Sequence, residues 1–302
     1  MEFKVGKMEL NCKNDAFISS VTFSDAERDS GRPNEDNILK TAELLGEHGF
    51  VRMVNVFNPK MLSNLDSHYR NRYSSYLHNT NRPNRRPLFT VDVEGPFNDS
   101  EFFAHPLIIP VIKKMLGDNS ILAALSSVVS FPGAPDQYIH RDAKQLFGKD
   151  YSVDKDIPAY SITVLIPLVD CNLQTGCTKV WPGSHLCGCE EDALKEPPID
   201  PEVQRGSILM TDGRLVHRGG ANVSELLRPL VYMTYHCHWY RDFGGYEDRP
   251  PVNITTKEFK KIPDNYKHMF SWTRDPYRMI RFKNLLRRAI PGSAIKLMRS
   301  LK

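Results

Sequence analysis

The chain has little that would hold a small extracellular fold together. Its six cysteines in 302 residues (Cys12, Cys171, Cys177, Cys187, Cys189 and Cys237) form no C-x-x-C pair, which argues against a disulfide framework or a redox dithiol. Cys187 and Cys189 with nearby His185 offer donor types for zinc, but not the spacing of a structural zinc site. No run reaches the roughly 18 apolar residues a membrane span requires. The opening MEFKVGKMELNCKND lacks the apolar centre of a secretory leader, and the final Ser300-Leu301-Lys302 is not the peroxisomal address. These absences predict a cytoplasmic protein. Internal repeats and low-complexity tracts are absent as well, which excludes a solenoid.

Charge is also missing where a nucleic-acid binder would need it. The net charge is +4, yet nine Lys/Arg and one Asp lie between Arg274 and Lys302, so the rest of the chain is acidic. No nucleic-acid partner is expected from that distribution. In the tail, Met279, Phe282, Leu286 and Ile290 share a helical stripe, with Arg278, Arg281 and Arg288 off it. Such a segment can lie on an anionic membrane surface or pack on its own domain with its arginines outward. Residues 276–302 are therefore a candidate for peripheral membrane contact.

What is present is enough apolar sequence, 40% of the chain, to build one sizeable core. Residues 1–33 are polar and irregular and read as an N-terminal arm. Helices are expected over ILKTAELLGEHG, ended by Gly46 or Gly49, and over 58–76 and 105–119. FVRMVNVF (50–57) alternates as a strand. Beyond residue 120 the pattern becomes short β-type runs at 121–131, 161–170, 206–213 and 228–240. Helices followed by many strands with long connections predict a mainly β protein with α: a double-stranded β-helix, or cupin-like jelly roll, flanked by N-terminal helices. The main domain is expected over 34–250, with a C-terminal extension over 251–302.

Two chemistries compete for the sequence HRDAK at His140–Lys144. HRD, with Asp242-Phe243-Gly244 downstream, suggests a kinase catalytic loop. A kinase needs Asn five residues after its Asp; here that position is Phe147, and the two aspartates stand a hundred positions apart. The kinase reading fails. His-x-Asp also supplies two thirds of a facial triad for non-haem iron, its two ligands on one side of an extended segment. A third ligand must come from another strand, and His217 follows the expected strand GSILMTD. Arg228, eleven residues later, opens the next β-run and would hold a carboxylate bidentately across the pocket. His185, after PGS, reads as a loop tether. His236 and His238 alternate around Cys237 and are expected to face one side in a packed or hydrogen-bonded role. Trp181, Trp239 and Tyr240 read as core or pocket wall.

Taken together, HRD, TGCTKVWPGSH (175–185) and HRGGANVSELLRP (217–229) resemble the phytanoyl-CoA dioxygenase-like group of Fe(II)/2-oxoglutarate oxygenases, over roughly residues 34–245. The resemblance implies that His140, Asp142 and His217 ligate Fe(II) and that Arg228 binds the distal carboxylate of 2-oxoglutarate. It also implies co-substrate contacts from Gln137, Thr163 and Thr178. The expected co-reactant is O2, with ascorbate as an optional reductant, and the expected products include succinate and CO2. An acidic residue at Asp142 favours hydroxylation or another oxidation over halogenation; desaturation, cyclisation, epimerisation or a non-catalytic cupin-like binding role would use the same residues. The substrate is expected to be a small molecule or a lipid-linked group.

Overall fold

A computed structural model describes residues 19–78, 83–147, 156–188, 190–242 and 250–272. The basic stretch 276–302, and with it the expected membrane contact, lies outside the described residues. No helix among the described residues is long and apolar enough to cross a membrane.

Among the described residues, nine strands form two sheets: β1 (Ser20–Thr22), β2 (Phe50–Val54), β3 (Leu88–Thr90), β4 (Ile121–Ser130), β5 (Ser161–Pro167), β6 (Thr178–Val180), β7 (Ile208–Asp212), β8 (His217–Gly219) and β9 (Arg228–His236). The large sheet runs in the order β1-β2-β7-β5-β9-β4-β3, and β6 pairs with β8 in the second sheet. Among these strand pairs, β1–β2 is parallel and the rest are antiparallel. This is the expected double-stranded β-helix, and the helices α1 (Asp25–Ser30), α2 (Glu35–His48), α3 (Pro59–Arg72), α4 (Ser74–His78), α5 (Ser100–Phe103) and α6 (Ile109–Leu116) precede most of its strands.

Local chemistry sets the helix bounds. Asn34 caps α2 through a side-chain bond to the Asp36 N–H, and Gly49 closes it at φ 78°. Gly49 is also a close-approach point, because a Cβ there would lie 2.5 Å from His185 Nδ1. The helix expected over 58–76 is divided at Tyr73, and that expected over 105–119 is shortened to α6, which starts beside Pro110. Residues 20–30 depart from the expected irregular arm. Phe23 is buried, β1 pairs with β2, and a Ser24–Glu27 capping box starts α1.

The central strands carry two environments on alternate residues. On β9, Val231, Met233 and Tyr235 join the main core, while Arg228, Leu230, Tyr232, Thr234 and His236 line a cavity. On β5, Ile162, Val164 and Ile166 are core, while Ser161, Thr163 and Leu165 face the cavity. The period-two pleat places the side chains this way, and each fully buried large apolar residue contributes about 1.5–3 kcal/mol. Residues beyond 250 add to the same core. Val252, Ile262, Met269 and Phe270 are buried, and Phe270 meets Phe103 edge-on at 5.2 Å.

Two stability predictions follow from this packing. Phe270→Ala is expected to cost about 3 kcal/mol in urea unfolding and to lower the midpoint of one transition. A separate early transition would show that 250–272 is not part of the cooperative unit. His105 is buried beside Phe57, its Nδ1 accepts the Leu107 N–H, and burial pushes its pKa down to about 4. The unfolded chain therefore takes up a proton before the fold does. Stability from neutral His105 is complete above the ordinary histidine value of 6.5 and falls as pH drops towards about 4. Over that window His105→Asn should flatten the stability–pH slope by up to about 1.4 kcal/mol per pH unit, read from unfolding curves at stepped pH.

Candidate metal and co-substrate site

Residues far apart in sequence meet through a backbone exchange. The His140 N–H donates to the His217 carbonyl at 3.0 Å, and the His217 N–H donates to the His140 carbonyl at 2.9 Å. Their rings consequently stand 4.4 Å apart. Asp142, two residues on, turns Oδ1 to within 3.8 Å of His140 Nε2 and 3.6 Å of His217 Nε2. One donor atom from each residue lies within 4.8 Å of the others.

The proton positions suit a cation. His140 Nδ1 lies 2.9 Å from the Tyr138 carbonyl and His217 Nδ1 lies 3.0 Å from the Leu215 carbonyl. A carbonyl only accepts, so each Nδ1 carries a proton, and Nε2 is left as the ring atom turned towards Asp142. Burial, followed by the neighbouring His217, holds the His140 pKa below the usual imidazole range, which favours the neutral, ligating form. Two imidazoles and a carboxylate on one face fit the donor set of non-haem Fe(II).

The triad opens into a cavity of about 630 Å³ that Gln137, Thr163, Thr178 and Arg228 also line. All seven residues singled out from the sequence are thus brought to one chamber. Arg228 is buried, and its Nε donates to the Thr175 carbonyl at 3.3 Å. Gln137 Oε1 accepts the Gly219 N–H at 2.8 Å. Thr163 Oγ1 donates to Asp142 Oδ2 at 3.1 Å. At the opposite end of β9 from Arg228, buried His236 is held neutral, its pKa pushed down to about 3 chiefly by burial. β9 ends there, and His238 is exposed, so the two do not share a strand face. Trp239, expected in core or pocket wall, is exposed, whereas Trp181 is buried.

Sequence reasoning missed Arg86. It is buried, lines the same cavity, and donates to the Pro135 and Gly220 carbonyls, while its Nη1 has no hydrogen-bond partner among the described residues. Burial, then the charge of Arg228, lowers its pKa to about 10. Two desolvated guanidiniums in one chamber are costly until an anion joins them. Gly219 makes room for this arrangement: a Cβ there would sit 2.5 Å from Gln137 Oε1 and 3.2 Å from Arg86 Nη1.

The PGSH turn has a supporting role. His185 Nε2 donates to the Gly46 carbonyl at 3.0 Å, and Ser184 Oγ accepts the Val216 N–H at 2.8 Å. The turn therefore ties α2 to the residue preceding His217, and His185 is neither in the triad nor among the residues lining the cavity. Cys189 lies outside the described residues.

A family model described as phytanoyl-CoA dioxygenase (PhyH) matches residues 45–230. The dioxygenase trt7 of Aspergillus terreus is 30% identical over 155 residues, 47% of this chain and 53% of the relative. The Fe(II)/2-oxoglutarate-dependent dioxygenase nvfF of Aspergillus novofumigatus is 30% identical over 149 residues, 48% of this chain and 49% of the relative. The chain spans about half the length of the curated relatives it matches. Among solved structures, the epimerase SnoN in complex with Fe3+, alpha ketoglutarate and nogalamycin RO superposes with a TM-score of 0.54 at 16% identity, covering 74% of this chain and 98% of that one. HygX from Streptomyces hygroscopicus, with nickel and 2-oxoglutarate bound, has a TM-score of 0.54 at 14% identity, covering 67% of this chain and 88% of that one. At those identities the structural likeness speaks for the fold. The family match covers well over half of the residues, and the chain belongs to the phytanoyl-CoA dioxygenase family.

Proposed function

We propose that this protein is an Fe(II)/2-oxoglutarate-dependent dioxygenase that oxidises a small organic molecule and releases succinate and CO2. The observation that carries the reading is one chamber holding both a His-Asp-His set and two buried guanidiniums. The first suits a divalent metal, and the second suits the far carboxylate of a keto-diacid. Relatives named as Fe(II)/2-oxoglutarate-dependent dioxygenases support the same assignment.

Each residue then has a task. His140 and His217 would offer Nε2, and Asp142 would offer Oδ1, to Fe(II), which when bound supplies the activation of dioxygen. Arg228 holds the distal carboxylate from the start of β9, and Arg86 directs its unpartnered Nη1 to the same anion. Gln137 has its carbonyl committed to Gly219, which leaves its amide N–H groups for a co-substrate oxygen. Thr178 adds a hydroxyl from β6. Burial of both arginines removes water that would compete for the carboxylate. The Asp142 carboxylate would fill a ligand position that halide would otherwise take, which favours hydroxylation or another oxidation over halogenation; the epimerase and carbocyclase among the similar solved structures make epimerisation and cyclisation the second reading of the same site.

His217→Ala is expected to abolish Fe(II) retention after anaerobic loading and desalting, while iron content equal to wild type would remove His217 from the metal site. Arg228→Ala and Arg86→Met should each weaken 2-oxoglutarate binding by about 10- to 100-fold, the loss of one charge-assisted hydrogen-bonding group. Iron content should change little in either variant. The readout is the visible absorption that 2-oxoglutarate induces in the anaerobic Fe(II) protein. Wild-type protein that shows this band yet forms no succinate with any substrate would be a binding protein.

A further inference from the structure

We infer that Thr163 is a positioning residue: it selects which Asp142 oxygen meets the metal and thereby sets metal affinity. The inference rests on the metal reading above and gives Thr163 a role other than co-substrate contact.

Asp142 needs such support. It follows the isolated His140 bridge in a segment without regular strand, and its carboxylate is partly exposed. The nearest backbone tie is the Ala143 N–H to the Gly213 carbonyl at 2.7 Å. Rotation about the last side-chain bond of an aspartate exchanges its two oxygens, and the main chain does not stop it. Thr163 does. It is fully buried at the centre of β5, and its Oγ1 donates to Oδ2 at 3.1 Å, leaving Oδ1 to face both imidazoles.

The hydroxyl has one proton, and its destination is fixed by chemistry. An ionised carboxylate is a stronger acceptor than a neighbouring hydroxyl, so the proton goes to Asp142. Thr234 Oγ1, 3.4 Å away on the paired strand, is then the donor to Thr163. The chain Thr234 to Thr163 to Asp142 runs in one direction, and each bond strengthens the next. On the other side, Thr211 of β7 stands opposite Thr163 and donates to its carbonyl at 3.4 Å. The loop carboxylate is thereby tied to β5, whose neighbours β7 and β9 each contribute a threonine beside Thr163. With its proton spent on Asp142, Thr163 has none left to offer a co-substrate oxygen.

The experiment uses Co(II), which occupies such sites without consuming oxygen. Full-length wild type, Thr163→Val and Thr163→Ser are titrated with Co(II), and each Co(II)-loaded protein is then titrated with 2-oxoglutarate. Valine matches threonine in shape but has no hydroxyl; serine restores the hydroxyl. T163V should bind Co(II) about 10- to 100-fold more weakly, the usual effect of losing a partner of a metal ligand, with an altered visible Co(II) spectrum. T163S should return both to near wild type. Thr163→Ala gives the same comparison should the valine variant not fold. Unchanged Co(II) affinity in T163V overturns the inference. So does weakened 2-oxoglutarate binding at unchanged Co(II) affinity, which would make Thr163 a co-substrate contact. Failure of wild type itself to bind Co(II) would overturn the underlying metal reading and this inference with it.

Discussion

The site depends on one pair of backbone hydrogen bonds, the reciprocal exchange between His140 and His217. Each residue gives its N–H to the other's carbonyl, so the two rings are fixed as neighbours by main chain alone. The same segment of chain then sets the tautomers, because the carbonyl two residues before each histidine receives the Nδ1 proton. The two imidazoles of a candidate metal site are thus brought together by backbone geometry. The large sheet supplies the rest, with β5 and β9 forming the wall against which this site is held.

The chamber also gathers charge that the core would ordinarily exclude. Arg86 and Arg228 are both buried; they donate to the carbonyls of Pro135, Gly220 and Thr175, and Asp136 opposes part of the positive field at Arg86. The carbonyl acceptors do not cancel the charge, and Arg86 Nη1 has no hydrogen-bond partner among the described residues. An anion that entered between them would offset the cost of burying both charges.

Much of this was legible in the sequence, for definite reasons. His140 and Asp142 sit two apart, a spacing that survives in any extended segment, and Arg228 marks the start of a nine-residue run with strand periodicity. The long strands β4, β5, β7 and β9 each declared themselves through apolar runs. Short elements did not: β6 and β8 have three residues each, below the length at which alternation can be read. β1 was hidden in a polar stretch because a three-residue edge strand takes its identity from pairing with β2. Arg86 was invisible for another reason. It lies in NRPNRRPLF, where proline-bounded turns erase periodicity, and only the tertiary fold distinguishes it from the arginine beside it. Thr163 carried a weak signal as a pocket residue; its link to Asp142 required coordinates.

The two-environment character of β9 bears on how such a protein diversifies. Odd-numbered positions 231, 233 and 235 belong to the interior, and even-numbered positions 232, 234 and 236 belong to the chamber wall. Drift at the even set reshapes what the chamber admits while leaving the scaffold's packing intact, whereas drift at the odd set is filtered by foldability. Inheritance of architecture and divergence of chemistry are in this way interleaved along a single stretch of polypeptide.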